Sequence, residues 1–180
     1  MKYKLVAFWL IVFGALFAFL QMCFEYHFYY IEQRQLFLFS EAYIRNKLLL
    51  PGGFSMLVAE FLVQFFIRPY VGALVTAALL TGVGVCTAGI VKRIAPVSGF
   101  FILYVLPMLA LLFMHFDFNY RVQGTVCYLM MMSLLCGYMR IRNDLFRLVA
   151  GCVLVPVLFW LAGSITVLFA CLLYTSDAAD

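Results

Sequence analysis

Ionisable side chains gather at two places in this chain. The first is the run Glu25 to Glu41, where Glu25, Glu32, Glu41, His27 and Arg34 lie among aromatic rings. The second is His115-Phe-Asp-Phe-Asn-Tyr-Arg-Val-Gln123, which packs an acid, a histidine, an amide and an arginine among three aromatics. Ionisable groups at membrane depth are costly to bury, so both clusters stand as functional candidates. Tyr26, Tyr29 and Tyr30 fit an interfacial aromatic belt, which leaves the carboxylates unexplained. Glu41 and Arg45, four apart on a helix, are expected to form a surface ion pair. The six cysteines contain no C-x-x-C pair and read as small buried hydrophobes. Cys23 and Cys127 sit near the outer ends of their helices, where a bridge is geometrically possible.

These residues must be held by membrane helices. The chain has 180 residues, of which 67% are hydrophobic and only 11% charged, whereas soluble domains carry about a quarter charged. A water-soluble core and a disordered chain are therefore excluded. The net charge of +4 is too scattered for a phosphate-tracking surface, so nucleic acid is not an expected partner and the lipid bilayer is.

A helix needs roughly 20 apolar residues to cross the hydrocarbon core. The spacing of charges predicts an all-α bundle with about five spans, near 5–24, 71–91, 94–114, 122–139 and 149–170. Counting positive charges sets its orientation. With the N-terminus inside, Lys2, Lys4, Lys92, Arg93, Arg140, Arg142 and Arg147 face the cytoplasm against Asp144 alone. The outer face then balances Arg34, Arg45, Lys47, Arg68 and Arg121 against five acids. Within the spans, Ala73/Ala77/Thr81 and Ala78/Gly82 are small-residue pairs that let helices approach. Pro107 and Pro156 are expected to kink theirs.

The first external loop is expected to hold two surface helices, near 31–50 and 54–67, joined by the Pro51-Gly52-Gly53 break. From Ile31 onward apolar residues recur at three, four or seven, the pattern of a helix lying on the membrane. In the second helix Glu60, Gln64 and Arg68 fall on one face.

The order of one span, a loop with an early acid and two surface helices, two spans with a basic turn, and an acidic second loop resembles the N-terminal half of the GT-C membrane glycosyltransferases. Glu32-Gln33 after the first span, the Pro51-Gly52-Gly53 turn and Asp117 carry that resemblance. It covers roughly residues 1 to 140, and Glu32-Gln33 stands where that family usually has Asp or Asp-Glu. It implies transfer of a sugar from a polyprenyl-phosphate donor on the outer face. Glu32 would be the general base or metal-associated carboxylate, with Asp117 assisting. Arg34, Arg45, Lys47, Arg68 and Arg121 would hold the lipid phosphate, and His115 would partner Asp117. A divalent metal fits that chemistry, although no cofactor motif is evident. Separately, Tyr-Tyr-x-Glu-Gln-x-Gln-Leu-Phe at Tyr29 to Phe37 resembles an uncharacterised family of bacterial inner-membrane proteins.

The alternative class is a non-enzymatic anchor or subunit of an envelope assembly. A transporter comes third, because no span carries an unpaired acid or base at its centre. Residues 171–180 resemble translated sequencing adapter, so native sequence is expected to end near Ala170. The chain is then a fragment whose remaining partner is its own missing C-terminal part. Without Asp177 and Asp180 the balance is 12 basic against 6 acidic residues.

Overall fold

The computed structural model describes residues 2–94, 101–141 and 143–177, and these form helices with no strand among them. In order they are α1 (Lys2–Arg34), α2 (Glu41–Leu48), α3 (Gly53–Val63), α4 (Val71–Ile94), α5 (Phe101–Met114), α6 (Val122–Tyr138), α7 (Asp144–Ala162) and α8 (Thr166–Asp177). By length and composition, Tyr3–Arg34, Val71–Ile94 and Leu145–Thr175 are each long and apolar enough to cross a membrane, although the last is interrupted at Gly163.

The centre of the bundle is α4, packed between α1, α5 and α6. Its face of Ala73, Ala77, Leu80 and Val83 is fully buried. Small side chains matter here because helices in lipid associate through close packing. A Cβ at Gly84 would lie 2.6 Å from the far edge of the Trp9 ring, so a larger residue there would require that ring to shift.

Two helices depart from the expected pattern at one end. The first span does not stop at Phe24. The chain kinks there, with φ −129° and ψ 17°, and continues helical to Arg34. At 1.5 Å per residue α1 is about 50 Å long, well beyond a hydrocarbon core of about 30 Å. The expected surface helix over 31–50 is therefore divided between the end of α1, a non-helical link over residues 35–40, and the short α2. Of the recurring apolar residues that suggested one helix, Phe37 packs edge-on against Tyr43 and Phe61, while Leu36, Phe39 and Leu50 are exposed.

The second expected surface helix forms as α3, extended by a 3-10 turn over Gln64–Ile67, but it is not superficial. Ser55, Leu57, Ala59, Glu60 and Val63 are buried, because α3 packs onto α6 and α7. With α2 it makes an antiparallel hairpin. Gly52 turns the chain in the left-handed region (φ 78°, ψ 2°), which favours a residue without a Cβ.

The predicted span 149–170 is also broken. Gly163 (φ 72°, ψ −138°) ends α7, and α8 folds back along it. Gly151 and Leu173 would be about 33 Å apart on a continuous helix. Yet a Cβ at Gly151 would lie 3.8 Å from Leu173 Cδ1. The tips of the two hairpins meet: the Gly52 N–H donates to the Trp160 carbonyl at 2.9 Å, and a Cβ at Gly52 would lie 3.2 Å from Gly163 N.

Predicted contacts elsewhere are mixed. Pro107 and Pro156 lie inside α5 and α7. Cys23 is free and exposed on α1. Cys127 is buried and donates to Ser55 Oγ at 3.1 Å, so the two cysteines form no bridge.

Candidate functional site

The loop end of the bundle is built by the end of α1, the α2–α3 hairpin and the segment 115–121. Tyr43 and Glu60, and Lys47 and Met56, are equidistant from the Pro51–Gly52 turn and face each other across the hairpin, and Lys47 also reaches Glu60 one turn further along α3. Lys47 Nζ pairs with Glu60 Oε1 at 2.7 Å, the side chains 19% and 10% exposed, and also lies 3.2 Å from Met56 Sδ. The Tyr43 hydroxyl donates to Glu60 Oε2. Burial, then the hydrogen bond to the Glu60 carboxylate, pushes the Tyr43 phenol up to about 12. Tyr43 thus remains a donor across the physiological range. Gln64 Nε2 donates to the Phe37 carbonyl at 2.8 Å and ties the 35–40 link to α3.

Beside this triad opens a cleft of about 120 Å³ lined by Arg34, Gln35, Met56, Ala59, Glu60, Arg121 and Gln123. Arg34 Nη1 donates to Asn119 Oδ1 at 2.9 Å and to the Tyr30 hydroxyl at 3.3 Å. Its guanidinium lies 5.6 Å from the Tyr30 ring centroid. Asp117 Oδ1 accepts from Asn119 N–H at 2.9 Å, which links Arg34 to the turn of the second loop. Among the described residues, neither Arg34 nor Arg121 has a carboxylate within ion-pair distance. Two guanidinium groups therefore flank an opening whose one acid is already matched by Lys47.

The predicted site residues are distributed as follows. Arg34 and Arg121 line the cleft, and Lys47 stands behind it. Arg45 is exposed on the far side of α2, along a separate groove with Glu41 and Trp160. The expected Glu41–Arg45 ion pair is not formed. Arg68 is exposed beyond the 3-10 turn and reaches neither set. Asp117 is exposed on the loop, and Glu32 is half-buried on α1. No hydrogen bond or ion pair joins Glu32 to Asp117 among the described residues, and Glu32 does not line the cleft. No three of His, Cys, Asp and Glu converge there as a metal group among those residues.

His115 is buried and does not line the cleft. It is 3% exposed, its Nδ1 lies 2.9 Å from the Leu111 carbonyl, and its ring lies 4.9 Å from that of Tyr120. Burial pushes the imidazole below its usual range, against the hydrogen bond to Leu111, with His27 nearby adding to the depression. The fold therefore holds His115 neutral where the unfolded chain would begin to take up a proton. Stability is full above the ordinary histidine value of about 6.5 and declines as pH falls below it. In detergent, the thermal midpoint is expected to fall between pH 7 and pH 5.5, and less steeply in His115→Gln. An equally steep fall in the variant would remove His115 from the cause.

Sequence reasoning gave three residues here no individual role, although His27 and Glu60 lie in stretches it singled out. Glu60 and Tyr43 belong to the triad, and pairing positions equally far from the Pro-Gly turn would have found them. His27, 6% exposed with neither ring nitrogen hydrogen-bonded, is walled in by Phe24 and Phe118. Nothing in its aromatic surroundings distinguished it.

No match to the chain was found among curated proteins or among solved structures. A family model described as "Family of unknown function (DUF6057)" matches residues 1–179. An uncharacterised family was the expectation drawn from the Tyr29 to Phe37 run, and a match over nearly the whole length decides membership: the chain belongs to the DUF6057 family.

Proposed function

We propose that the chain is a multi-pass protein of the bacterial inner membrane that binds the phosphate of a membrane lipid in the Arg34–Arg121 cleft. The reaction served there is transfer of a sugar from a polyprenyl-phosphate donor. The single observation that carries the binding reading is two guanidinium groups flanking a small cleft with no carboxylate partner of their own. Guanidinium forks match phosphate oxygens, and a phosphate would complete both. The transfer step rests on the GT-C resemblance.

The charge distribution supports an outer-face location. Lys92 and Arg93 end α4, and Arg140 follows α6. These lie at the opposite end of the bundle from the cleft, in keeping with the positive-inside bias. In this reading Asp117 is the better placed of the two acids, because Asn119 connects it to Arg34. Glu32 and Arg34, two apart on α1, leave different sides of the helix.

Two measurements test the two halves. Arg34→Gln/Arg121→Gln is expected to weaken binding of polyprenyl phosphate to the purified full chain by tenfold or more, and unchanged binding would overturn the cleft. Glu32→Gln and Asp117→Asn are expected to leave binding intact and to deplete the lipid-linked sugar product in cells. Unchanged product at normal protein levels would overturn the catalytic assignment.

A second reading, a non-enzymatic membrane subunit, is favoured by a groove of about 800 Å³ between α7 and α8. Its walls, including Val155, Pro156, Phe159, Val167 and Ala170, are apolar. It fits a partner's membrane helix.

A further inference from the structure

The lipid-phosphate cleft contains one acid, and its arrangement says more about the ligand than the two arginines do. Glu60 is 7% exposed and lines the cleft together with Arg34 and Arg121. Each of its oxygens is held from behind: Oε1 by the Lys47 ammonium at 2.7 Å, Oε2 by the Tyr43 hydroxyl. A carboxylate has about four acceptor sites, two on each oxygen. Lys47 and Tyr43 occupy one apiece, which leaves acceptor capacity on both oxygens. Lys47 also cancels the negative charge, so Glu60 does not repel an anion seated on the arginines. A matched, oriented carboxylate next to an anion site is suited to a neutral donor, and the neutral donor that accompanies phosphate in lipid head groups is a hydroxyl. Gln35 and Gln123, also in the cleft, can each donate to or accept from the same group.

We infer that Glu60 determines specificity in this cleft, accepting a hydrogen bond from a hydroxyl on the alcohol carried by the bound phosphate. The ligand class is a phosphorylated lipid with a hydroxylated head group, such as a glycerol or a sugar. Tyr43 and Lys47 are positioning residues, which fix the carboxylate plane across the hairpin. This inference rests on the lipid-phosphate reading of the cleft and adds the hydroxyl requirement to it. A site that hydrogen-bonds a hydroxyl discriminates against the analogue without one, because the remaining acceptor capacity of the Glu60 oxygens is then desolvated by the ligand with no donor to fill it.

Two lipids of equal charge and similar size separate the possibilities. Phosphatidylglycerol carries two head-group hydroxyls, and phosphatidylpropanol with the same acyl chains carries none. Native mass spectrometry of the detergent-purified full chain measures the affinity of each. Wild type is expected to bind phosphatidylglycerol about tenfold more tightly, roughly one charge-assisted hydrogen bond. In Glu60→Gln the preference should shrink to about twofold, through weaker phosphatidylglycerol binding alone. Arg34→Gln/Arg121→Gln should weaken both lipids together. Equal wild-type affinities, both reduced by the arginine substitutions, would overturn the role of Glu60 and leave the phosphate cleft standing. Affinities untouched by the arginine substitutions would overturn the cleft itself. The wild-type comparison requires no variant, so it decides the matter even where Glu60→Gln is poorly folded.

Discussion

Replacing Gly53 by alanine is expected to destabilise the protein more than any other glycine-to-alanine change in the described chain. An alanine Cβ there would lie 1.7 Å from the Lys47 carbonyl oxygen and 2.6 Å from its carbon. Both are backbone atoms of the facing helix, so no side chain can move aside. The hairpin must open at its turn, and opening separates Lys47 from Glu60 and Gly52 from Trp160. The cost is expected at the upper end of overpacking penalties, about 3 kcal/mol. Gly14, whose added Cβ would meet nothing within 4 Å, is the control. Gly14→Ala should be neutral or stabilising by up to about 1 kcal/mol, the helix-propensity difference. Thermal unfolding of both variants in one detergent makes the comparison. A Gly53→Ala midpoint equal to that of wild type would mean that α2 and α3 are not in contact at this turn.

The second large effect is expected at Lys47. Removing one partner of a buried ion pair costs about 3 to 5 kcal/mol, because the remaining charge stays desolvated. The Lys47 side chain is 19% exposed and that of Glu60 10%, which places Lys47→Met near the lower end. Tyr43 would still donate to Glu60 but cannot neutralise it. Replacing both partners should restore most of the loss, since apolar pairs of similar volume are often as stable as the ion pair they replace. The double variant Lys47→Met/Glu60→Leu is therefore expected within about 1 kcal/mol of wild type, which a double-mutant cycle reads directly. Additive losses would show that the two side chains do not interact.

How much of this was legible in sequence depended on whether one helix or two had to be read. The close face of α4 was visible, since Ala73 and Ala77 recur at the helical spacing of a small-residue seam, and both are fully buried. The Pro51-Gly52-Gly53 break was visible too. Its consequence, an antiparallel hairpin packed inward, was not, because periodicity within α3 describes a face without naming what covers it. Glu60 was therefore assigned to a face with Gln64 and Arg68, while its partners lay on α2. The break at Gly163 escaped for a different reason. The run from Val149 to Ala170 is free of charge, and hydropathy is the same whether a chain continues or doubles back. For the candidate site, Arg34 and Arg121 were named from their residue type. Their convergence is a tertiary fact, since 86 intervening positions separate them in the numbering.

The contact between Gly52 and Trp160 has a bearing on how the chain is made. The turn at Gly52 leaves the ribosome long before its partner carbonyl exists, and at typical rates the interval is roughly 5 to 20 s. Until then the half-polar hairpin, with Glu60 among its buried residues, lacks a complete α7 against which to settle. It must wait at the membrane surface or be sheltered by the insertion machinery. Seating of the hairpin that carries Glu60 is thus a late event in folding, dependent on the arrival of α7.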